Sequence, residues 1–326
     1  MDEAFVEPGF ADFPLNLHQA MLEDKRRLAA FQRAIRRALR PGDTVVDVGT
    51  GTGILAFMAY RAGAGRVIAI DRSDIVETAK RVKADNFPDA PIEFHQIDAL
   101  SEPLPRVKAD LLVCELIGNF GLEEQIIPVV RRVRERMLRP GAKIIPGYME
   151  LVFAPVQSGE IQRRIDDWRE PIAGVDFSAF GDLAYDRVYH VDGERMTQLA
   201  KPDALLSIDF ANVAVRPRRL DGRFAIDRAG RLHGIGSWFR AVLVPGEVLE
   251  SDPRKTATHW GQMFFPVAGP QMEPIRVRPG AIVEFQLTIT PRADHNLYRW
   301  KGCVHPAKGD PGEPVAFSHA VRDQTA

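Results

Sequence analysis

Only two cysteines, Cys114 and Cys303, occur in 326 residues. That is too few for a disulfide framework, and it points to a reducing cytoplasm. No Cys/His cluster has metal-ligand spacing, so no metal is expected. Charge of one sign is not in excess, the formal net charge being −1. A protein that binds by neutralising phosphates needs a basic surface, so no nucleic-acid partner is expected. No apolar run approaches the roughly 18 residues that span a bilayer, and the opening MDEAFVEPGF lacks the basic and apolar regions of a signal peptide. A membrane partner is therefore not expected either. Internal repeats and low-complexity segments are also missing. What remains, 45% hydrophobic and 27% charged, is the composition of a soluble globular protein with one large domain or two ordinary ones.

The first half alternates between helix and strand patterns. Residues 16–39 read as one amphipathic helix, with Met21, Leu28, Phe31, Ile35 and Leu39 at helical spacing. Pro41-Gly42 stops it. TVVDV reads as a buried strand, GTGTG as a turn into a helix and RVIAID as a second strand. A helix over 74–86 follows, then strands PIEFHQI and ADLLVCE. EEQIIPVVRRVRERML reads as a helix ended by Pro140-Gly141, and AKIIP as a fifth strand. This alternation predicts a parallel sheet with helices on both faces. The pattern changes at Pro146-Gly147. MELVFAPV, LLSIDFANVAV, GIGSWFRAVLV, GQMFFPV, IVEFQLTIT and LYRWKGCV are short strand-like pieces separated by Gly, Pro and Asp, which predicts an antiparallel barrel or sandwich. Residues 160–203 lean to helix and read as an arm or insertion. The fold class expected is α/β: a Rossmann-like parallel-sheet domain, then an antiparallel β-barrel or sandwich domain with a helical arm.

VVDVGTGTG places Asp47 before Gly49, Gly51 and Gly53 at a strand-to-helix turn. Glycines there let backbone approach a ligand closely. Gly51-x-Gly53-x-x-Ala56 also fits a loose dinucleotide fingerprint. Glycines at every second residue suit a nucleoside better than a pyrophosphate. The second strand ends in Asp71, where an acid can accept both ribose hydroxyls, or can simply terminate a turn. Asp98-Ala99, after the third strand, would edge an adenine. Asp-x-Gly-x-Gly-x-Gly with an acid at the next strand end resembles the S-adenosylmethionine site of class I methyltransferases.

The fourth strand ends in Glu115, and Glu124 follows a loop turned by Gly118 and Gly121. Ligands in open α/β sheets bind beyond the carboxyl ends of strands, so Glu115 points toward the cofactor's reactive end. Two close carboxylates repel unless a cation lies between them, and a guanidinium can bond to both. The plain alternative is that Glu123 and Glu124 open a helix, where acids favour the dipole. Far downstream lie Thr258-His259-Trp260. Together, the glycine turn, the two glutamates and Thr-His-Trp resemble the protein arginine methyltransferase family over about residues 10–305. His18-x-x-Met21-Leu22-x-Asp24-x-x-Arg27 resembles that family's cofactor-covering helix.

The resemblance implies S-adenosyl-L-methionine as cofactor and an arginine guanidinium as methyl acceptor. It implies that Arg27 grips the cofactor's carboxylate, that Asp24 pairs with His259, and that Met21 and Trp260 line the substrate pocket beside Glu115 and Glu124. Domains are then expected at 1–40 (cofactor-covering helices), 41–146 (cofactor-binding domain) and 147–326 (substrate domain), with a dimerisation arm over about 160–203 and hence a homodimer. The chain departs from the family at two places. EPGFADFPLN offers Phe10 and Phe13 where the family has paired tyrosines, and Leu116-Ile117-Gly118-Asn119 replaces Trp-Met-Gly-Tyr. The substrate is therefore arginine in a protein or peptide, or free arginine or a small guanidino compound. Another nucleophile, or a cofactor-binding scaffold, are the remaining readings. Trp168, Trp238 and Trp300 read as core, and Cys114 as a small apolar strand residue.

Overall fold

The computed structural model describes residues 15–191, 196–255, 258–269, 273–293 and 295–321. The stretch carrying Phe10 and Phe13 lies outside them. Five strands form the first sheet: β1 (Thr44–Val48), β2 (Arg66–Asp71), β3 (Ile92–Gln96), β4 (Ala109–Cys114) and β5 (Leu138–Ile145), in the order β3-β2-β1-β4-β5. All pair in parallel. Helices α1 (Leu15–Glu23), α2 (Lys25–Ala38), α3 (Ile54–Arg61), α4 (Ile75–Asn86) and α5 (Ile126–Met137) accompany the sheet. Val45, Val46, Ile68, Leu111 and Val113 are fully buried, as expected of a parallel sheet covered on both faces.

Three boundaries differ from the sequence pattern. The helix over 16–39 is two helices, because the Asp24 side chain accepts the Arg27 backbone N–H at 2.8 Å and caps α2. The helix predicted from Glu123 begins instead at Ile126, after Gln125 in the left-handed region at φ 56°. Pro128 gives the reason: it lacks an N–H and is tolerated only in a helix's first turn. Glu123 and Glu124 thus belong to a turn rather than to a helix. Third, β5 starts directly after α5, and a register irregularity opposite Ala109–Leu111 absorbs Pro140 and Gly141. β5 is an edge strand, where proline removes no needed ladder bond.

The second half is antiparallel. Its strands are β6 (Tyr148–Gln157), β7 (Tyr189–Val191), β8 (Thr197–Gln198), β9 (Asp203–Asp209), β10 (Arg218–Ala225), β11 (Gly230–Leu232) and β12 (Gly234–Val244). They continue with β13 (Glu247–Glu250), β14 (Gln262–Pro266), β15 (Ile275–Val277), β16 (Ile282–Pro291), β17 (Asn296–His305) and β18 (Val315–Ala320). One sheet runs β7-β14-β12-β6-β8 with β9 and β13 attached; another runs β10-β16-β17-β18. Phe153, Phe265, Phe285 and Trp300 pack between them. Helices α6 (Gly159–Asp166) and α7 (Ala179–Tyr185) form the arm. Trp238 and Trp300 are core, but Trp168 is not: it is 37% exposed and stacks on Phe180 in the arm at 5.2 Å. Cys114 and Cys303 are free thiols.

The loop between β4 and α5 joins the two halves. Phe120 is fully buried and meets Phe153, Phe265 and Tyr298 edge-on, at 5.9, 5.6 and 5.6 Å. An apolar loop therefore separates two acids because its centre is rooted in the second half's core.

Candidate active site

Beyond the carboxyl ends of β1, β2 and β4 lies a cavity of roughly 240 Å³. The glycine turn forms its floor. Gly49 and Gly51 have φ of 74° and 51°, which side chains resist. A Cβ on Gly49 would stand 2.5 Å from Leu116, and one on Gly51 3.4 Å from the His18 ring. Asp71 accepts the Gly51 N–H at 2.8 Å and the Ser73 N–H at 2.9 Å, and faces the cavity. Asp98 and Ala99 lie along the same wall. Desolvation would raise Asp98, but hydrogen bonds from Ser101 and the Leu100 N–H outweigh it and hold the carboxyl low. Asp47 and Gly53 stand behind the wall rather than on it. Asp47 accepts the Thr50 hydroxyl at 2.6 Å, and burial pushes its carboxyl up to about 7. Gly53 caps α3 in the left-handed region.

The other wall carries the acids. Glu115 is buried and paired with Arg27, whose Nε and Nη2 both donate to Oε2. Arg27 Nη1 donates to the Met21 carbonyl at 3.2 Å. The arginine assigned by resemblance to a cofactor carboxylate thus also braces the first glutamate. Glu124 opens on the same cavity, and burial together with the charges of Glu115 and Glu123 pushes it up to about 8. Glu123 turns away and accepts the Phe120 N–H.

The second half closes the cavity. The His259 backbone N–H donates to Asp24 Oδ2 at 3.0 Å, and His259 Nδ1 lies 2.9 Å from the same oxygen. Although burial opposes it, the hydrogen bonds from His259 and from the Arg27 N–H hold Asp24 at about 2. Trp260 is buried, donates from Nε1 to the Ile117 carbonyl at 2.5 Å, and meets Phe239 edge-on at 5.1 Å. Met21, His259 and Trp260 all line the cavity. Burial lowers His18, Arg27 adds to this and Asp71 opposes it.

Phe120 and His190, unmarked by the sequence, complete the site together with Asn119, which the sequence marks only as a departure from the family's loop. Phe120 anchors the acidic loop, and Asn119 ties it to His190 and Gly261 at 2.9 and 3.0 Å. Asn119 and His190 are 71 positions apart, and no local pattern signals such a pair. Among the described residues, no group of three or more His, Cys, Asp or Glu could hold a metal ion. No helix among them is long and apolar enough to cross a membrane.

A glycine turn under an acid-tipped second strand, facing two glutamates that a β half closes over, defines a methyltransferase of the S-adenosylmethionine-dependent Rossmann-like class. Residues 149–298 match the family model "Arginine methyltransferase oligomerization subdomain", and residues 29–158 match "Ribosomal protein L11 methyltransferase (PrmA)". Protein arginine N-methyltransferase 6 of Xenopus laevis is 30% identical over 294 residues, covering 85% of this chain and 84% of that one. Arginine N(omega)-methyltransferase of Streptomyces achromogenes subsp. streptozoticus is 26% identical, covering 87% and 79%. The Trypanosoma brucei PRMT1 enzyme-prozyme heterotetrameric complex with AdoHcy superposes with a TM-score of 0.79 at 24% identity, covering 93% of this chain and 98% of that one. The chain belongs to the protein arginine N-methyltransferase family. It is accordingly an S-adenosylmethionine-dependent arginine methyltransferase.

Proposed function

We propose that the methyl acceptor is an arginine side chain of a protein or peptide, held between Glu115 and Glu124. One arrangement carries this reading. Both carboxylates face the cavity that holds Arg27 and the glycine turn, and Glu124, raised to about 8, gives up its proton at neutral pH only when a cation stands beside it. A guanidinium meets that need with paired N–H donors.

The cavity's donor set fits S-adenosylmethionine: a cation at Arg27, an acid at Asp71, and an open glycine floor. When bound, the cofactor supplies an electrophilic methyl group on a positively charged sulfur. Arg27 spends three N–H donors on Glu115 and Met21, which leaves two of its five for the cofactor's carboxylate. Asp71 takes the ribose hydroxyls and Asp98-Ala99 edges the adenine. Gly49 and Gly51 let the backbone close in, while Asp47 and Gly53 hold the turn from behind. Met21 and Trp260 form apolar walls for the acceptor. Glu115 and Glu124 draw the guanidinium's charge toward the nitrogens they hold and leave the third nitrogen to react. Positioning and fixed charge supply most of the acceleration. Asp24, held at about 2, stays ionised and orients His259. Of Asp24 and Glu124, Glu124 is the one that can take the product's proton near neutral pH, once the bound cation has displaced its own.

The arm supports a homodimer. Trp168, Ile172, Val175 and Phe180 are 37%, 51%, 53% and 46% exposed, a cluster of large apolar side chains that a second copy would cover. It lies within the stretch matching the oligomerization subdomain. Two free thiols and no disulfide support a cytoplasmic setting.

A second reading, free arginine as acceptor, draws on Leu116 and Asn119, which stand where the family's loop has aromatics, and on the similarity to the Streptomyces enzyme. Mass spectrometry after incubation with S-adenosylmethionine, free arginine and an arginine–glycine peptide in equal amounts separates the two. Methylation of the peptide is expected. Methylation of free arginine alone selects the second reading, and methylation of neither, with tight cofactor binding, overturns both.

A further inference from the structure

We infer that Asn119 is a positioning residue that fastens the glutamate loop to the arm and to the Thr-His-Trp segment, so that Glu115 and Glu124 keep their spacing. The inference rests on the arginine-methylating reading of the site.

The geometry admits only one orientation of the amide. Gly261 presents a backbone N–H, which can only donate, so the atom 3.0 Å from it is the Asn119 oxygen. The Asn119 amino group then faces His190 Nδ1 at 2.9 Å and donates to it. His190 Nδ1 must therefore be unprotonated, and its proton sits on Nε2. Burial lowers His190 to about 4, which keeps the ring neutral at pH 7 and available as this acceptor.

One partner lies on a strand and the other immediately before the strand paired with it. His190 belongs to β7, which follows α7 within the arm's stretch, and stands opposite Met263 of β14. Gly261 directly precedes β14 and directly follows Trp260, whose Nε1 bonds to Ile117 in the same glutamate loop. One amide thus reads the arm and the closing segment together, midway between the two acids. A tyrosine hydroxyl at this position could not offer an acceptor and an NH2 side by side in one plane. The latch is therefore a property of this chain, where the family's loop has an aromatic.

The test uses the full-length protein. In a double-mutant cycle, Asn119→Ala and His190→Ala should each lower kcat/KM for the arginine acceptor by roughly 10- to 100-fold, the penalty of small misplacement of reacting groups. The double variant should be no worse than the worse single variant, because both changes break one link. The cofactor's Kd should move less than about twofold. His190→Ala can disturb β7, so Asn119→Asp provides a second arm. It keeps the acceptor for Gly261 but sets a carboxylate against His190 Nδ1, which must then carry a proton. Nitrogen NMR of His190 should show the Nε2–H tautomer in the parent and a protonated Nδ1 in Asn119→Asp. A parent ring protonated on Nδ1, multiplying losses in the double variant, or an unchanged kcat/KM in Asn119→Ala would overturn the inference. If the parent methylates neither arginine nor peptide, the functional reading fails, and the tautomer still decides whether the latch exists.

Discussion

Acceptor binding should expel a proton from Glu124. The carboxyl is raised to about 8 by burial and by the carboxylates of Glu115 and Glu123. At pH 7 it is then about nine-tenths protonated. A guanidinium within contact lowers a neighbouring carboxyl by about 1–3 units. Taking about 2, Glu124 in the complex titrates near 6 and is only about one-tenth protonated at pH 7. Binding should therefore release about 0.8 proton per site at pH 7, and only about 0.1 at pH 9. The same linkage makes acceptor affinity rise about ninefold between pH 7 and pH 9. The acceptor's own guanidinium cannot account for this, since it stays charged throughout. Asp24, at about 2, is ionised in this whole range and adds nothing. Calorimetric titration of an arginine peptide into protein saturated with the demethylated cofactor, in buffers of differing ionisation enthalpy, counts the protons. That cofactor form lacks the sulfonium charge and leaves Glu124 as its neighbours set it. Glu124→Gln should remove the release. A pH-independent affinity with no proton released at pH 7 would refute the caged-cation argument.

Glu124→Gln should also lower kcat by about 100-fold or more while leaving cofactor affinity within about twofold, measured by turnover and by calorimetry. Asp24 is depressed from 3.8 to about 2, so its contribution is present above pH 3.8 and lost as pH falls toward 2. Asp24→Asn keeps a capping oxygen but gives up that linkage, and should lose about 2 kcal/mol of stability at pH 7 in denaturant titration; parent and variant should converge near pH 2. Asp47 is raised from 3.8 to about 7, so its penalty grows as pH rises through that interval. Asp47→Asn should gain stability relative to the parent between pH 5 and pH 8, and equal pH slopes in the two proteins would contradict this. Phe180→Asp should shift the protein toward monomer in sedimentation, because it charges the arm's apolar face.

Much of the first half was legible because each of its elements carries its own period. Val45, Val46, Leu111 and Val113 form short apolar runs between glycines, and the five strands fall where those runs lie. The breaks were harder to see. Asp24 sits in a continuous helical pattern, and only its side chain's bond to Arg27 divides α1 from α2. Pro128 held the signal for the start of α5, but the glutamates before it mimic a helix's acidic first turn. In the second half six strand-like pieces were visible, LLSIDFANVAV only as far as Asp209, whereas β7, β8, β11 and β15 have two or three residues each and leave no periodicity to read. Trp168 misled for a different reason: large aromatics are usually core, and only its place on the arm exposes it.

The resemblance named residues most of which the structure brings to one cavity, but it did not show that Arg27 and Glu115 pair. The resemblance assigned Arg27 to the cofactor and Glu115 to the substrate. The structure gives them a shared hydrogen-bonded pair, so the cofactor end and the acceptor end of the cavity are electrostatically one object. Asp24 does the same at a second point, since a single carboxyl caps α2 and holds His259. Phe120 does it at a third, by rooting the glutamate loop in the β half's aromatic core. The Arg27–Glu115, Asp24–His259 and Phe120–Phe153 contacts each join segments more than 30 positions apart, and the last two lie where the two halves meet. The chemistry follows from that junction. The Rossmann-like half supplies both acids and the glycine floor, but their spacing is set by groups whose positions the β half determines. A cation between Glu115 and Glu124 therefore senses the packing of both halves at once, and a change in the barrel core beneath Phe120 should reach the acceptor's KM before it reaches the cofactor's Kd.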